Sequence, residues 1–234
     1  MEKTNHVLLD IQNLTIEFHT ETGVKRVIND LNLQIFTGES LGLVGEAGAG
    51  KTTTALSVLR LLEKGAAVIK SGTITYNGKD ISKLSEKQME NLRGDKISMI
   101  FQNPLTSLNP VFTIGEQIAM VLRKHRKLGR KAALEEAGRL MELVGIPKNR
   151  LDEYPHQFSG GMRQRIGIAA ALACNPELLI ADEPTTALDV TIQAQILELM
   201  KELQTKYDTS LLMITHNLGL IAELCSNVAV MYAG

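Results

Sequence analysis

Apolar and polar residues alternate at the start of the chain with the period of two that is typical of β-strands. This alternation predicts one or two strands over residues 9–18 and another over 31–35. Short apolar segments predict further strands, at 41–44, 73–76, 96–101, 178–181, 211–215 and 228–232. Asn77-Gly78 follows one of these segments, and that dipeptide is typical of a type I′ hairpin turn.

Apolar residues at helical spacing occupy much of the remaining chain. They predict helices at 52–62, 114–125, 131–144, 159–174, 190–206 and 218–225. The helices at 114–125 and 131–144 have no strand between them, which indicates an inserted helical subdomain. Elsewhere strands and helices alternate, so we expect an α/β fold with a mainly parallel sheet.

The charge balance excludes a protein that is held to nucleic acid mainly by its overall charge. The 234 residues include 25 Lys and Arg against 26 Asp and Glu, for a formal net charge of −1. A basic run at 123–127, with Arg130 and Lys131 after it, has no aromatic residues between its cations. We therefore predict a solvated helix end there and no nucleic-acid partner.

Two cysteines, Cys174 and Cys225, are too few for a disulfide framework or a four-thiolate metal site. Both lie in apolar helical segments, so we predict that they are small buried hydrophobic residues. No apolar run approaches the roughly 18 residues of a membrane span, and the first residues lack the pattern of a signal peptide. We expect a soluble, cytoplasmic protein.

Residues 45–52 match the pattern G-x-x-x-x-G-K-[ST] and lie between a predicted strand and a predicted helix. Backbone N–H groups of such a loop surround a phosphate, and the helix adds its positive amino-terminal dipole. Lys51 is expected to reach the β- and γ-phosphates, and the Thr52 hydroxyl to ligate Mg²⁺. The alternative is a structural glycine turn. The predicted nucleotide contacts come from Gly45, Glu46, Ala47, Gly48, Ala49, Gly50, Lys51, Thr52 and Thr53.

Two carboxylates, Asp182 and Glu183, end the apolar strand at 178–181. A phosphate-loop enzyme needs an acidic residue at the tip of a neighbouring strand to hold its metal ion, and Asp182 is suited to that role. Glu183 comes one residue later, where it is expected to polarise an attacking water. The alternative is a solvated pair that leads into a turn at Pro184.

Ser159-Gly160-Gly161 predicts a second helix amino terminus that binds an anion, because serine is a good N-cap and the glycines expose backbone N–H groups. Either the chain binds two nucleotides or two chains share them.

This segment, followed by Arg163-Gln164-Arg165, resembles the signature motif of ABC-type ATPases. The resemblance extends to Gln102 as the Q-loop glutamine, to Ala187-Leu188-Asp189 as the D-loop and to His216 as the switch histidine. It implies a P-loop NTPase fold with a RecA-like core, an antiparallel β subdomain and a helical subdomain at about 103–158, in one nucleotide-binding domain over 1–234.

The resemblance also implies ATP and Mg²⁺ as ligands and assigns roles to individual residues. Lys51, Glu183 and His216 are expected to be catalytic, with His216 on the γ-phosphate. Thr52, Gln102 and Asp182 are expected to hold the metal. Ser159, Gly160 and Gly161 are expected to bind the nucleotide of a facing chain. Phe18 stacks on the adenine, although a core position is an equally good interpretation of that residue, and His19 is the other candidate.

Three stretches, 102–110, 156–162 and 182–190, resemble the branch that imports oligopeptides, dipeptides and nickel. Met162 stands where most ABC ATPases have glutamine, and this methionine is typical of the branch. The branch implies an ATPase for uptake of peptides or a related solute, peripheral to the cytoplasmic side of the cell membrane. Its partners are an identical or different second ATPase subunit, transmembrane permease subunits and, indirectly, a solute-binding protein.

Members of this branch usually continue into a longer carboxyl-terminal segment, often with cysteines that hold an iron–sulfur cluster. We expect no cluster here, and the apolar stretch just before Gly234 suggests a truncated end. Two alternatives to an importer subunit remain: a soluble ABC-type ATPase that is not linked to transport, and a non-catalytic nucleotide-binding fragment.

Overall fold

The computed structural model describes residues 6–21, 23–103, 107–186 and 188–234. It divides into two compact units. The terminal unit comprises Met1–Glu90 and Ser210–Gly234, and the central unit comprises Asn91–Thr209.

The helices and strands have the following bounds in chain order. The first part of the terminal unit contains β1 (Val7–Thr20), β2 (Gly23–Phe36), β3 (Ser40–Val44), α1 (Lys51–Val58), β4 (Ala67–Tyr76), β5 (Lys79–Asp80) and, at its boundary, α2 (Glu86–Leu92). The central unit contains β6 (Ile97–Ile100), α3 (Ile114–Arg126), α4 (Arg130–Leu143), α5 (Gly160–Leu172), β7 (Leu178–Asp182) and α6 (Val190–Tyr207). The second part of the terminal unit contains β8 (Ser210–Ile214), α7 (Leu218–Leu224) and β9 (Asn227–Val230).

An antiparallel sheet in the order β2-β1-β4-β5 forms one layer of the terminal unit. The alternation at 9–18 belongs to one long strand, β1, which pairs with β2 on one side and β4 on the other. Leu9, for example, lies opposite Ile35 and Tyr76, and all three side chains are buried. The predicted hairpin turn is confirmed: Asn77 and Gly78 have φ of 49° and 74°, as type I′ requires.

Strand β3 lies between β8 and β9 and is parallel to both. All five of its residues are buried, as expected for a strand covered on both faces. Helix α7 packs directly on it, because a Cβ added to Gly42 would lie 2.5 Å from Cδ1 of Ile221. Because β3 and β8 are parallel neighbours, the segments that follow these two strands emerge at the same edge of the sheet.

The helix predicted at 52–62 is shorter than expected, because α1 ends at Val58. Arg60 has the left-handed φ of 52°. The Leu61 N–H donates to the Leu56 carbonyl at 2.8 Å, which closes the helix end in the manner of a Schellman turn. Helix α2 was not predicted; its sequence, EKQMENL, has few apolar residues.

The central unit carries the parallel pair β6 and β7, with Ile97 opposite Leu178 and Ile100 opposite Ala181. The two successive helices predicted after β6 are present as α3 and α4. Thr113 caps α3 by accepting from the Glu116 N–H at 3.4 Å. The basic run forms the last turn of α3 and is exposed, as predicted, except at the half-buried His125; cations there complement the helix dipole.

The cysteines differ in their exposure. Cys174 is buried, as predicted, whereas Cys225 is half-buried and follows the end of α7. Burial raises the pKa of both thiols, that of Cys225 to about 11. In the described part of the chain no three His, Cys, Asp or Glu side chains cluster as a metal site. A helix long and apolar enough to cross a bilayer is also absent from the described residues.

Candidate functional site

The loop at 45–50 connects β3 to α1, and two of its glycines are required by close packing. A Cβ on Gly45 would lie 2.1 Å from the Met231 carbonyl oxygen. Gly50 has φ of 101°, and a Cβ there would lie 3.0 Å from the Val27 carbonyl oxygen. The loop is thus held against the segment that follows β9. Its opposite side is exposed at residues 46–48.

Lys51 lies at the first position of α1 and is only 7% exposed. Its Nζ donates to the carbonyl oxygens of Gly45 at 2.7 Å and Glu46 at 2.8 Å, so the ammonium lies over the loop. The first N–H groups of a helix have no acceptor within the helix, and the dipole there favours negative charge. Ammonium, helix terminus and curled backbone together form an arrangement with the charge and the N–H groups that phosphate binding requires.

His216 is exposed and lies two residues beyond the end of β8. Because β3 and β8 are parallel neighbours, His216 and the phosphate-binding loop leave the sheet at the same edge. Phe18 lies in the other sheet of the terminal unit, half-buried, opposite Lys25 and Ala67. His19 beside it is exposed.

In the central unit, strand register brings Gln102 and Glu183 together. The parallel pairing of Ile100 with Ala181, continued by two residues, places them opposite each other beyond the strand ends. Gln102 Nε2 donates to Glu183 Oε2 at 2.8 Å. Two motifs that lie far apart in the sequence are therefore joined by a direct contact.

Glu183 has φ of 45°, in the left-handed region that few residues other than glycine adopt. Such a conformation costs of order 1–3 kcal/mol, so the surrounding contacts must hold it. The Thr186 hydroxyl donates to Glu183 Oε2 at 2.9 Å, and the Thr186 N–H donates to the Glu183 carbonyl at 3.1 Å. Asp182, one residue earlier, is 2% exposed. Sequence reasoning missed Thr186, although a hydroxyl three residues after an acidic strand end was visible.

The signature turn (Ser159–Gly161) begins α5. Ser159 is its N-cap, as predicted, and its Oγ accepts from the Met162 N–H at 3.3 Å. A Cβ on Gly161 would lie 2.7 Å from Cγ2 of Ile192, so this glycine lets α5 approach α6 closely. The turn lines a cavity of about 370 Å³ together with Leu188 and Asp189.

Asp189 caps α6, and its Oδ1 accepts from the Ile192 N–H at 2.9 Å. Of the predicted D-loop, Leu188 and Asp189 are described, and Ala187 lies outside the described residues. Residues 104–106, within the stretch that resembles the peptide branch, also lie outside them.

Comparison with known proteins identifies the family of this chain. The ABC transporter family profile matches residues 28–186, which include the phosphate loop, Gln102, the signature turn and Glu183. The chain belongs to the ABC transporter family. The resemblance that its motifs indicated is therefore confirmed.

Two similar relatives are peptide transport proteins. The chain is 54% identical over 229 residues to the oligopeptide transport ATP-binding protein OppD of Bacillus subtilis, an alignment that covers 97% of this chain and 64% of that protein. It is 51% identical to the dipeptide transport ATP-binding protein DppD of the same organism, covering 97% of this chain and 68% of that protein. The chain thus spans about two thirds of the length of these relatives.

The predicted fold class is confirmed by similarity to solved ABC cassettes. The chain superimposes with a TM-score of 0.86 on the ATP-binding cassette MJ0796, which was solved as a post-hydrolysis dimer bound to ADP and Pi. The two are 24% identical, and the match covers 97% of this chain and 95% of that one.

Proposed function

We propose that this chain is the ATP-binding and ATP-hydrolysing subunit of an ABC importer for peptides or a related solute, nickel included. The observation that carries the proposal is the oriented Glu183 carboxylate in a chain that also holds an intact phosphate loop. The names of the relatives support peptides as the solute, and the family supports coupling to transport.

Glu183 is proposed to orient and deprotonate the water that attacks the γ-phosphate. Gln102 and Thr186 both donate to its Oε2, which fixes the direction of the carboxylate. General-base residues contribute about 10²–10⁴-fold in rate when they are positioned in this way. His216 is proposed to donate a hydrogen bond to the γ-phosphate.

The residues proposed to hold Mg²⁺ provide the oxygen ligands that this ion prefers: the Thr52 hydroxyl, the Gln102 amide and the Asp182 carboxylate. Because Gln102 Nε2 donates to Glu183, its Oε1 is the atom that would ligate the metal. Bound there, Mg²⁺ would offset the charge that develops on the phosphate oxygens. Lys51 would contribute a second positive charge from the loop.

Two chains are proposed to share each nucleotide, with the phosphate loop of one facing the signature turn of the other. The signature turn supports this arrangement, because it is a second helix amino terminus in the same chain, and such termini favour anions. The partner ATPase would be identical or different. Permease subunits would receive the closing motion, a solute-binding protein would deliver the solute, and the ATPase would lie peripherally at the cytoplasmic side of the membrane.

The proposal is tested by steady-state ATP hydrolysis of the purified chain with Mg²⁺, against a Lys51→Ala variant. We expect phosphate release by the unmodified chain and loss of that activity in the variant. Phosphate release that is absent from both, although the chain binds ATP, would favour the non-catalytic fragment. Release at equal rates by both would point to a contaminating ATPase.

A further inference from the structure

Arg150 is the centre of a side-chain cluster beside the signature turn. Its Nε lies 2.9 Å from both carboxylate oxygens of Glu153, and its Nη2 donates to Oε2 of the same residue at 2.5 Å. The guanidinium carbon lies 4.2 Å from the ring centroid of Phe158. Nη2 also donates to the Gln157 carbonyl at 3.1 Å, and Nη1 contacts Met162 Sδ at 3.6 Å.

These contacts lie on both sides of the signature turn. Gln157 and Phe158 immediately precede Ser159, and Met162 is the residue whose N–H the Ser159 side chain caps. The Phe158 ring that Arg150 covers is 3% exposed and therefore fixed in the core. Arg150 thus joins the segment before the turn to the first residue after it.

Within the turn itself, the Ser159 cap on the Met162 N–H is the side-chain contact that holds its shape. Gly160 and Gly161 have no side chains, and glycine is the least restricted residue of the backbone. A second arginine, Arg163, holds the entry to the turn by donating to the Phe158 carbonyl at 2.8 Å. The positions of the N–H groups at the turn therefore depend on the neighbours that fix its two ends.

We propose that Arg150 is a positioning residue that holds the signature turn in the geometry required to bind the phosphates of a nucleotide on the facing chain. The inference rests on the proposed function. Arg150 acts through the turn and not by binding phosphate itself, because both carboxylate oxygens of Glu153 already hold its guanidinium. The fork of Arg150 matches that carboxylate and its plane stacks on Phe158, neither of which a lysine reproduces.

The contact between Arg150 and Glu153 also shifts the pKa of both groups. The hydrogen bond from Arg150 holds the pKa of Glu153 below its usual range, and the pKa of Arg150 is raised by the same contact. Both groups are therefore charged at neutral pH.

The decisive experiment uses dimers assembled from two differently tagged chains, of which one carries Lys51→Ala. The working site then combines the phosphate loop of the other chain with the signature turn of the Lys51→Ala chain. Arg150→Ala is placed on either chain in turn. We expect kcat to fall at least about tenfold when it lies on the Lys51→Ala chain, within the roughly 10²-fold that a displacement of about 1 Å can cost. On the other chain the loss should be several-fold smaller.

Equal losses in the two placements would overturn the proposal, because a general structural defect does not depend on which signature turn is used. Arg150→Lys provides a second variant, and we expect it to recover only a minor part of the activity. Complete recovery would show that charge alone matters and would overturn the positioning role. Arg139→Ala is the matched control, since Arg139 is an exposed arginine that pairs with Glu136 at 2.9 Å.

A readout without turnover separates this inference from the proposed function. If the reference dimer, in which one chain carries Lys51→Ala and neither carries an Arg150 substitution, demonstrably forms but hydrolyses no ATP, the shared-site mechanism fails. Amide hydrogen exchange, measured on the single chain, then tests whether Arg150 holds the signature turn. We expect the Met162 amide to exchange about tenfold faster in Arg150→Ala, while the Ile192 amide, capped by Asp189, exchanges as before. Unchanged exchange at Met162 would overturn the inference.

Discussion

Gln102 Nε2 donates to Oε2 of Glu183 at 2.8 Å, although the two residues are 81 positions apart in the chain. The same oxygen accepts from the Thr186 hydroxyl at 2.9 Å. One side of the carboxylate is thereby fixed by two donors. Glu183 also has a left-handed backbone, so its chain leaves the direction of the strand while these two contacts hold its carboxylate.

Glu183→Gln is expected to bind ATP but to lose about 10²–10⁴-fold in kcat. The amide oxygen can still accept from Gln102 and Thr186, so the shape of the site is kept while the base is lost. The closed dimer should accumulate with Mg-ATP in size-exclusion chromatography. Asp182→Asn is the comparison: it should weaken Mg²⁺ binding and slow hydrolysis without that accumulation. Turnover near the unmodified rate in Glu183→Gln would remove Glu183 from the mechanism.

Thr186→Val keeps the shape of the side chain and removes one of the two donors to Glu183. We expect kcat to fall by about three- to tenfold, in line with the roughly 1 kcal/mol that one hydrogen bond contributes, while KM for ATP changes little. Thr205→Val is the control, since the Thr205 hydroxyl donates to the Lys201 carbonyl on α6. Equal kinetics in the two variants would show that the Thr186 contact has no part in hydrolysis.

Mixing Lys51→Ala with Gly160→Asp should restore activity that neither variant has alone. A carboxylate at Gly160 repels phosphate, and the site has room for a side chain, since the nearest atom to a Cβ there is Leu188 Cδ2 at 4.0 Å. Each mixed dimer would keep one site with an intact loop and an intact signature turn. Gly160→Asn, an uncharged side chain of the same size, should be less impaired. No recovery in mixtures that demonstrably form dimers would exclude shared sites.

Gly45→Ala should destabilise the chain by about 1–3 kcal/mol, because the new methyl group would meet the Met231 carbonyl oxygen and overpacking has this cost. Affinity for ATP should fall as well. Gly167→Ala is the control of opposite sign: nothing lies within 4 Å of a Cβ there, and alanine in α5 should stabilise the helix by about 1 kcal/mol. Urea unfolding measures the change in stability of each variant. A Gly45→Ala chain with unaltered stability would contradict the close packing of the loop.

The Cys225 thiol should react slowly, because burial raises its pKa to about 11. At pH 8 only about one folded molecule in a thousand is then a thiolate, against about a quarter of the unfolded molecules, so alkylation of a Cys174→Ala chain should be about 200-fold slower when folded than in urea. The unfolded thiol ionises near pH 8.5 and the folded thiol near pH 11. The contribution of Cys225 to the free energy of unfolding is therefore constant below about pH 8 and decreases as the pH rises from about 8.5 to about 11. Folded and unfolded chains that react equally fast would show that Cys225 is not shielded.

How much of this site could be predicted depended on whether its parts were local in sequence. The phosphate loop was predictable because loop, strand and helix are consecutive, and the Ser159 cap because a helix start has its own composition. The contact between Gln102 and Glu183 was not, since it depends on the register of β6 against β7. The Arg150 cluster was not predictable either: Glu153 stands three residues after Arg150, but no helix was predicted there, and Phe158 and Met162 have no spacing that marks them as partners.

Sequence patterns also failed to predict the backbone where local hydrogen bonds turn the chain. The apolar pattern at 52–62 continues past the end of α1, but Arg60 adopts a left-handed conformation and its N–H donates to the Ser57 carbonyl at 3.0 Å. Glu183 is a further example, since a glutamate after a strand gives no indication of a positive φ. Both residues turn the chain sharply next to segments that the sequence predicted well.

The Met231 carbonyl oxygen against Gly45 has a consequence for the order in which the protein is made. A ribosome produces residues from the amino end, so Gly45 leaves it well before the strand β9 and Met231 exist. The loop sequence is then complete, but the backbone that it packs against is not, and β3 still lacks both of its neighbours. Until synthesis has passed Met231, the loop therefore lacks a backbone neighbour that it has in the folded chain, and we expect shorter nascent chains to bind ATP weakly.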